Sequence, residues 1–230
     1  SVMSLKTFRT NYMTKPLFGI LKRKGLLPSI SDTEKTALTA GSVWIEGDLF
    51  SGKPDFEKIF SHTYPTLSKE EQAFLDNEVE EVCAMTDDWE VFQTRRLPEK
   101  VWQYLKDKRF FGMIIPKEQG GLGFSAFGHS CVIEKLATRS QVLAITVMVP
   151  NSLGPAELLL QYGEEKQKKH YLPRLAEGKE IPCFALTEPE AGSDAAAIRS
   201  HGTVFKDSNG TLKIKLEFEK RYITLGAIAT

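Results

Sequence analysis

Between Ser68 and about Gly178, apolar residues recur with the period of helices that bury one face. Ser68 and Glu71 stand in capping-box register, and behind them Phe74, Leu75, Val79 and Val82 share a side. Pro98 suits the first position of a helix carrying Val101, Trp102 and Leu105, with Gly112 as its end. The next helix places His129, Val132, Ile133, Leu136 and Ala137 in one stripe at i, i+3, i+4, i+7 and i+8. An apolar run from Val142 to Val149 follows, and Pro150 is expected to kink or end it. Pro155 opens a further short helix that Gly163 stops. Near Ile181 the period changes. Leu212, Ile214, Leu216 and Phe218 alternate with Lys213, Lys215 and Glu217, which predicts a strand behind the turn Asp207-Ser208-Asn209-Gly210. Asn209-Gly210-Thr211 has the form of a glycosylation acceptor, but Asn-Gly in that setting reads as the turn itself.

These patterns predict an α+β chain in three parts. Residues 1–67 read as a basic, irregular extension that wraps around the rest, with a short helix opening at Ser31 in capping-box register with Glu34. Residues 68–180 form an all-α domain, and residues 181–230 the first strands of a β domain. A few strands leave faces and edges uncovered, and Gly226-Ala227-Ile228-Ala229-Thr230 carries no closing signal, so the chain is expected to be a truncated piece of a longer fold.

Charge adds one asymmetry. Thirty basic and thirty acidic residues cancel, which removes any global electrostatic case for nucleic acid. Yet Lys6, Arg9, Lys15, Lys22, Arg23 and Lys24 all precede the first acid, Asp32, with Leu17, Phe18, Ile20 and Leu21 among them. Such a front could touch an anionic membrane surface; the alternative is a solvated arm that packs on its own domain. No run approaches the ~20 apolar residues of a membrane span, and the start lacks the pattern of a secretory signal. Cys83, Cys131 and Cys183 are too far apart for a metal motif and are expected to be buried free thiols in a reducing, cytosol-facing compartment.

Two loops carry candidate chemistry. Ile114 to Gly123 needs backbone freedom at Gly120, Gly121 and Gly123. In Phe184-Ala185-Leu186-Thr187-Glu188-Pro189-Glu190-Ala191-Gly192-Ser193-Asp194, a strand is expected to end at Thr187 ahead of Pro189. Ala191, Gly192 and Ser193 then make a small-residue turn whose N–H groups can approach a phosphate, although an ordinary strand-ending loop has the same composition. His129 reads as a hydrogen-bonded core residue, and no metal constellation is present in the sequence.

Ala185 to Ala197 resembles the first signature of the acyl-CoA dehydrogenases. Ile115-Pro116 with Gly120-Gly121-Leu122-Gly123 resembles a loop that the family carries upstream, and Lys220-Arg221-Tyr222-Ile223-Thr224 a strand downstream. Gly163 to Gly178, with Gln167, Lys169, Tyr171, Leu172, Pro173 and Leu175, is similar to the family's approach to its β domain. The resemblance runs from about residue 68 to 225. It is greatest to the large bacterial enzymes of fatty-acid β-oxidation, a membrane-associated group with a hydrophobic front segment not seen in this sequence. The chain departs from the family pattern at Tyr222, where Trp is usual, and at Glu217-Phe218 and Leu225-Gly226.

The resemblance implies a helical domain leading into a β-barrel domain, FAD as cofactor, and α,β-dehydrogenation of a long-chain fatty acyl-CoA to the trans-2-enoyl-CoA. By the same carry-over, Phe184, Leu186 and Thr187 line the flavin ring. Gly192 and Ser193 hold the pyrophosphate, Ser193 also near the acyl-CoA arm, and Tyr222, Ile223 and Thr224 cover the opposite face. Glu188 is then structural, and the catalytic base belongs to a C-terminal domain. An electron-transfer flavoprotein is the implied acceptor, homo-oligomers form through that domain, and the location is cytoplasmic or at the inner membrane. Residues 1–230 alone are expected to be inactive. An oxidase of the same fold and a non-enzymatic helical interaction module are the alternatives.

Overall fold

The computed structural model describes residues 5–27, 35, 36, 39, 41, 45–50, 52 and 54–230. The helix expected at Ser31 lies outside the described residues. The chain divides into two compact units, Ser1–Ser61 and His62–Thr230.

The first unit is more ordered than its sequence suggested. Helix α1 (Leu5–Phe8), a π-helical turn (Arg9–Thr14) and α2 (Lys15–Arg23) follow one another without a break. Two short helices come later, α3 (Ile45–Phe50) and α4 (Phe56–Ser61), joined by a Lys58 Nζ–Asp48 Oδ2 ion pair at 3.1 Å. The expectation of an irregular segment is corrected here. Pro16 lies inside this continuous run, directly after the π turn, whose last bond is Lys15 N–H to Thr10 O.

The second unit holds the core. Helix α5 (Lys69–Phe74) passes through a π turn (Leu75–Val79) into α6 (Glu80–Met85). The five-residue step from Phe74 to Val79 would rotate about 140° off the face of a regular α-helix; the wider π turn brings Val79 back into the core beside Phe74 and Val82. Helices α7 (Asp88–Thr94) and α8 (Glu99–Asp107) follow, then a 3-10 turn (Phe110–Gly112) that buries Phe110 and Phe111 completely. After a second 3-10 turn (Lys117–Gln119) come α9 (Ala126–Arg139), α10 (Gln141–Ser152), α11 (Ala156–Tyr162) and α12 (Glu165–Ala176). The α9 stripe is buried at Val132 and Leu136, as its spacing required.

Helix α10 does not stop at Pro150 but continues to Ser152. Asn151 explains why. Its buried side-chain amide donates to the carbonyls of Phe110 (2.7 Å) and Val147 (2.8 Å), and its oxygen accepts from Ile114 N–H, which fixes the turn that contains the ring. The stretch Gln141–Tyr162 also meets the length and apolarity of a membrane span, contrary to the sequence count. Leu143, Ala144, Val147 and Val149 bury its first half within the unit, which is the position of a core helix.

Glu71 is the polar centre of this block. It completes the capping box of α5, accepting from Ser68 N–H at 2.8 Å while its own N–H donates to Ser68 Oγ. Its other oxygen accepts from the N–H and hydroxyl of Ser125, each at 2.7 Å, at the start of α9. Burial alone would raise its pKa, but these hydrogen bonds more than offset that and hold it at about 2. Gly128 makes the approach possible, since a Cβ there would lie 2.3 Å from Glu71 Oε1. In the glycine loop, Leu122, Gly123 and Phe124 donate back to the carbonyls of Gly112, Ile115 and Met113. A Cβ on Gly121 would meet the Ile115 oxygen at 2.0 Å.

The β part is a single antiparallel pair among the described residues, β1 (His201–Lys206) with β2 (Leu212–Glu217), in register Val204↔Ile214. Asp207 builds the connecting turn by accepting from the N–H groups of Asn209 and Thr211, each at 2.9 Å. Every residue of both strands is exposed. The result is a helical domain followed by the beginning of a β domain.

Candidate functional site

The candidate loop is framed by two extended segments. Phe184 and Thr224 form an antiparallel bridge, with N–H···O distances of 3.0 and 3.1 Å. Arg221 N–H donates to Thr187 O at 2.9 Å, and Thr230 N–H reaches Ile181 O at 3.1 Å. The strand expected to end at Thr187 is thus reduced to a single bridge, Phe184 with Thr224. The pairing places Phe184, Leu186 and Thr187 next to Tyr222, Ile223 and Thr224 in one ribbon. Leu186, Tyr222 and Ile223 are exposed, Tyr222 most of all at 84%. Tyr222 (φ 56) and Leu225 (φ 63) adopt the left-handed backbone region, which costs energy for bulky residues and marks the ribbon's end as strained.

The chain then reverses within Glu188–Ala191, where Glu188 N–H donates to Ala191 O at 2.9 Å and Ala191 N–H returns to Glu188 O. Asp194 caps a 3-10 turn (Ala195–Ala197) by accepting from Ala196 N–H. Between these two turns Gly192 and Ser193 face solvent. Among the described residues their N–H groups have no protein partner, nor do the hydroxyls of Thr187, Ser193 and Thr224. A Cβ on Gly192 would meet nothing within 4 Å. Donors grouped at an open turn beside an exposed apolar ribbon fit a ligand that joins an anionic group to a flat ring.

Glu188 does not face that opening. It is buried, and its carboxylate accepts from Lys220 Nζ (2.8 Å), the Ser200 hydroxyl, Arg199 N–H (2.7 Å) and Ser200 N–H (3.2 Å). Lys220 and Ser200, followed by Arg199 N–H, lower its pKa to about 2. An ionised group with its lone pairs already committed is a poor proton acceptor, and its position under the turn is that of a support. Lys220 also donates to Leu186 O at 3.0 Å, so one ammonium ties the extended segment to the turn beneath it. Lys220 stands in the downstream motif, but the motif alone does not reveal this task. The available signal was a lysine two residues before an aromatic on a segment predicted to lie beside the signature.

Two other expectations change. His129 Nε2 is buried without a hydrogen-bond partner, and burial lowers the pKa of the ring and favours its neutral form. The three cysteines are free thiols, but only Cys83 is buried; Cys183 is exposed because it lies on the open extended segment. Among the described residues no cluster of His, Cys, Asp and Glu could hold a metal ion.

Residues 64–179 match the family model described as acyl-CoA dehydrogenase, N-terminal domain. Very long-chain specific acyl-CoA dehydrogenase, mitochondrial, from Homo sapiens is 34% identical over 178 residues, covering 75% of this chain and 27% of that protein. A 3-(aryl)acrylate reductase from Clostridium sporogenes is 33% identical over 140 residues, covering 61% of this chain and 36% of the relative. Butyryl-CoA dehydrogenase from Megasphaera elsdenii superposes with a TM-score of 0.62 at 26% identity, over 73% of this chain and 44% of that structure. The chain therefore spans only about a quarter to under half of the proteins it resembles.

Proposed function

The chain belongs to the acyl-CoA dehydrogenase family, and from that premise we propose that it serves an FAD-dependent α,β-dehydrogenation of long-chain fatty acyl-CoA to the trans-2-enoyl-CoA. The observation that carries this reading is the exposed bend at Gly192 and Ser193, whose N–H groups have no protein partner and which follows in the chain on the paired segment that exposes Leu186, Tyr222 and Ile223. Gly192 and Ser193 would hold the pyrophosphate, and Leu186, Thr187 and Tyr222 would meet the ring. Bound there, the flavin supplies a two-electron acceptor for the hydride that leaves the β-carbon. The Thr187 hydroxyl, which has no protein partner, would be available to donate to the ring, and the apolar ribbon would shield one side of it from water.

Removal of the α-proton requires a carboxylate base near neutral pH and donors for the charge that builds on the thioester oxygen. Glu188 fills neither role, since its carboxylate is engaged by Lys220, Ser200 and Arg199. We assign the base to residues outside this chain, and the electron acceptor after the flavin to an electron-transfer flavoprotein. The long-chain preference follows the similarity to the human very long-chain enzyme.

The test is spectroscopic. Purified full-length protein should show flavin absorbance that bleaches anaerobically on addition of a long-chain acyl-CoA; a colourless protein that retains the helical signal would sink the reading. Gly192→Asp sharpens it. The new side chain meets open space, so the fold is unaffected, while a negative charge at the turn should weaken FAD retention at least about tenfold.

A further inference from the structure

The first unit carries two helical stretches of opposite charge, and neither hides its apolar side. In α2, at about 100° per residue, Leu17, Phe18, Ile20 and Leu21 fall on one arc and Lys15, Lys22 and Arg23 on the other. In α4 the same spacing groups Phe56, Ile59 and Phe60, with the Phe56 and Phe60 rings stacked at 6.0 Å and Glu57 beside them. No residue of α2, α3 or α4 is buried. Phe18 is 55% exposed, Phe50 91% and Phe60 79%. The sequence before Asp32 holds six basic residues and no acid, whereas residues 45–61 hold four acids, Glu46, Asp48, Asp55 and Glu57, against two lysines. Of these lysines, Lys58 is already paired with Asp48. Among the described residues Lys15, Lys22, Glu46 and Glu57 have no ion-pair partner.

We propose that this unit is an interface between two copies of the chain, in which α2 of each copy lies on α3 and α4 of the other. Leu17, Phe18 and Ile20 meet Leu49, Phe56 and Phe60 there, and Lys15 and Lys22 face Glu46 and Glu57. Charge complementarity selects the occupant. The chain supplies both signs on neighbouring stretches, so a second copy satisfies both at once, through two equivalent contacts about a two-fold axis. A partner of one sign that attracted α2 would be repelled by the acids of α3 and α4. Apolar arcs that stay wet in a single copy leave water on both sides of each contact. The inference does not depend on the redox reading.

Photo-cross-linking of the full-length protein in lipid-free buffer tests it, and reads this contact whatever other surfaces also pair the copies. A photoreactive phenylalanine analogue at Phe60, an exposed position, should cross-link to residues 5–23. Lys15→Glu with Lys22→Glu, or Glu46→Lys with Glu57→Lys, should each cut that cross-link by about fivefold or more, because like charges then face each other. Co-expressing the two variants should recover about half of it, since random assembly gives mixed pairs in which both contacts regain opposite signs. None of the four positions is buried, so the helical signal should not change. Absence of any cross-link to residues 5–23 would overturn the proposal, as would a cross-link indifferent to the reversals. Recovery only when all four reversals share one chain would also overturn it, in favour of α2 packing on its own copy.

Discussion

Glu71 and Glu188 are both buried carboxylates whose pKa values are held at about 2, yet they work in contrasting surroundings. Glu71 sits in the helical block, where its donors are serine hydroxyls and backbone N–H groups at the starts of α5 and α9. The same block buries Leu105, Phe110 and Leu136 completely. Glu188 sits beneath an open turn, next to a strand pair whose every residue is exposed, and its first donor is the ammonium of Lys220. In the block, apolar burial supplies the cohesion and the carboxylate sets geometry. At the turn there is little apolar surface to bury, so polar contacts must hold the chain in place.

The largest expected effect tests the first half of that contrast. Phe110→Ala should cost about 3–5 kcal/mol in chemical denaturation, whereas Ile214→Ala, at a position 60% exposed, should change stability by less than about 0.5 kcal/mol. Comparable losses at both sites would mean that the β1–β2 pair is covered in solution.

The next effect is electrostatic. Glu71→Gln leaves donors at Ser68 and Ser125 without their full set of acceptors and should cost about 1–3 kcal/mol. Both carboxylates have folded values below the ordinary 4.5. Their stabilisation is therefore complete above about pH 4.5 and is lost as the pH falls toward 2. Thermal melts across that window should show a falling midpoint, and Glu71→Gln should flatten the fall; an unchanged slope would remove Glu71 from the acid response.

The smallest effect separates the turn from the block. Lys220→Met should raise the Glu188 pKa toward its ordinary value and speed amide exchange at Arg199 and Ser200, with exchange in α9 and α10 unaffected. Global loss of protection would show that the ammonium supports the whole unit.

What could be read in advance was whatever depends on neighbours a few residues away. The Ser68–Glu71 capping box, the α9 stripe and the Asn209-Gly210 turn all follow from local spacing. The π turn that realigns Val79 and the passage of α10 through Pro150 depend on tertiary partners, Asn151 above all. At the candidate site a reversal is legible from Pro189, but it is closed by Glu188 and Ala191, and Gly192 and Ser193 follow it as an exposed bend and do not form the turn expected of them. The clamp of Lys220 and Ser200 on Glu188 was not, because it joins groups 32 and 12 residues apart whose meeting depends on how the extended segments pair. The helices at Leu5–Arg23, Ile45–Phe50 and Phe56–Ser61 are not legible from composition, which shows only that apolar and basic residues are mixed.

The double use of Glu71 bears on how the block assembles. Its bond to Ser68 closes within one turn and can form as soon as α5 nucleates, but its bond to Ser125 spans 54 residues and carries the entropy of closing that long loop. Until α9 arrives, half of the carboxylate remains hydrated, and α5 is only partly committed. Folding of the two helix starts is thereby joined into one event, and their protection from hydrogen exchange should rise and fall together.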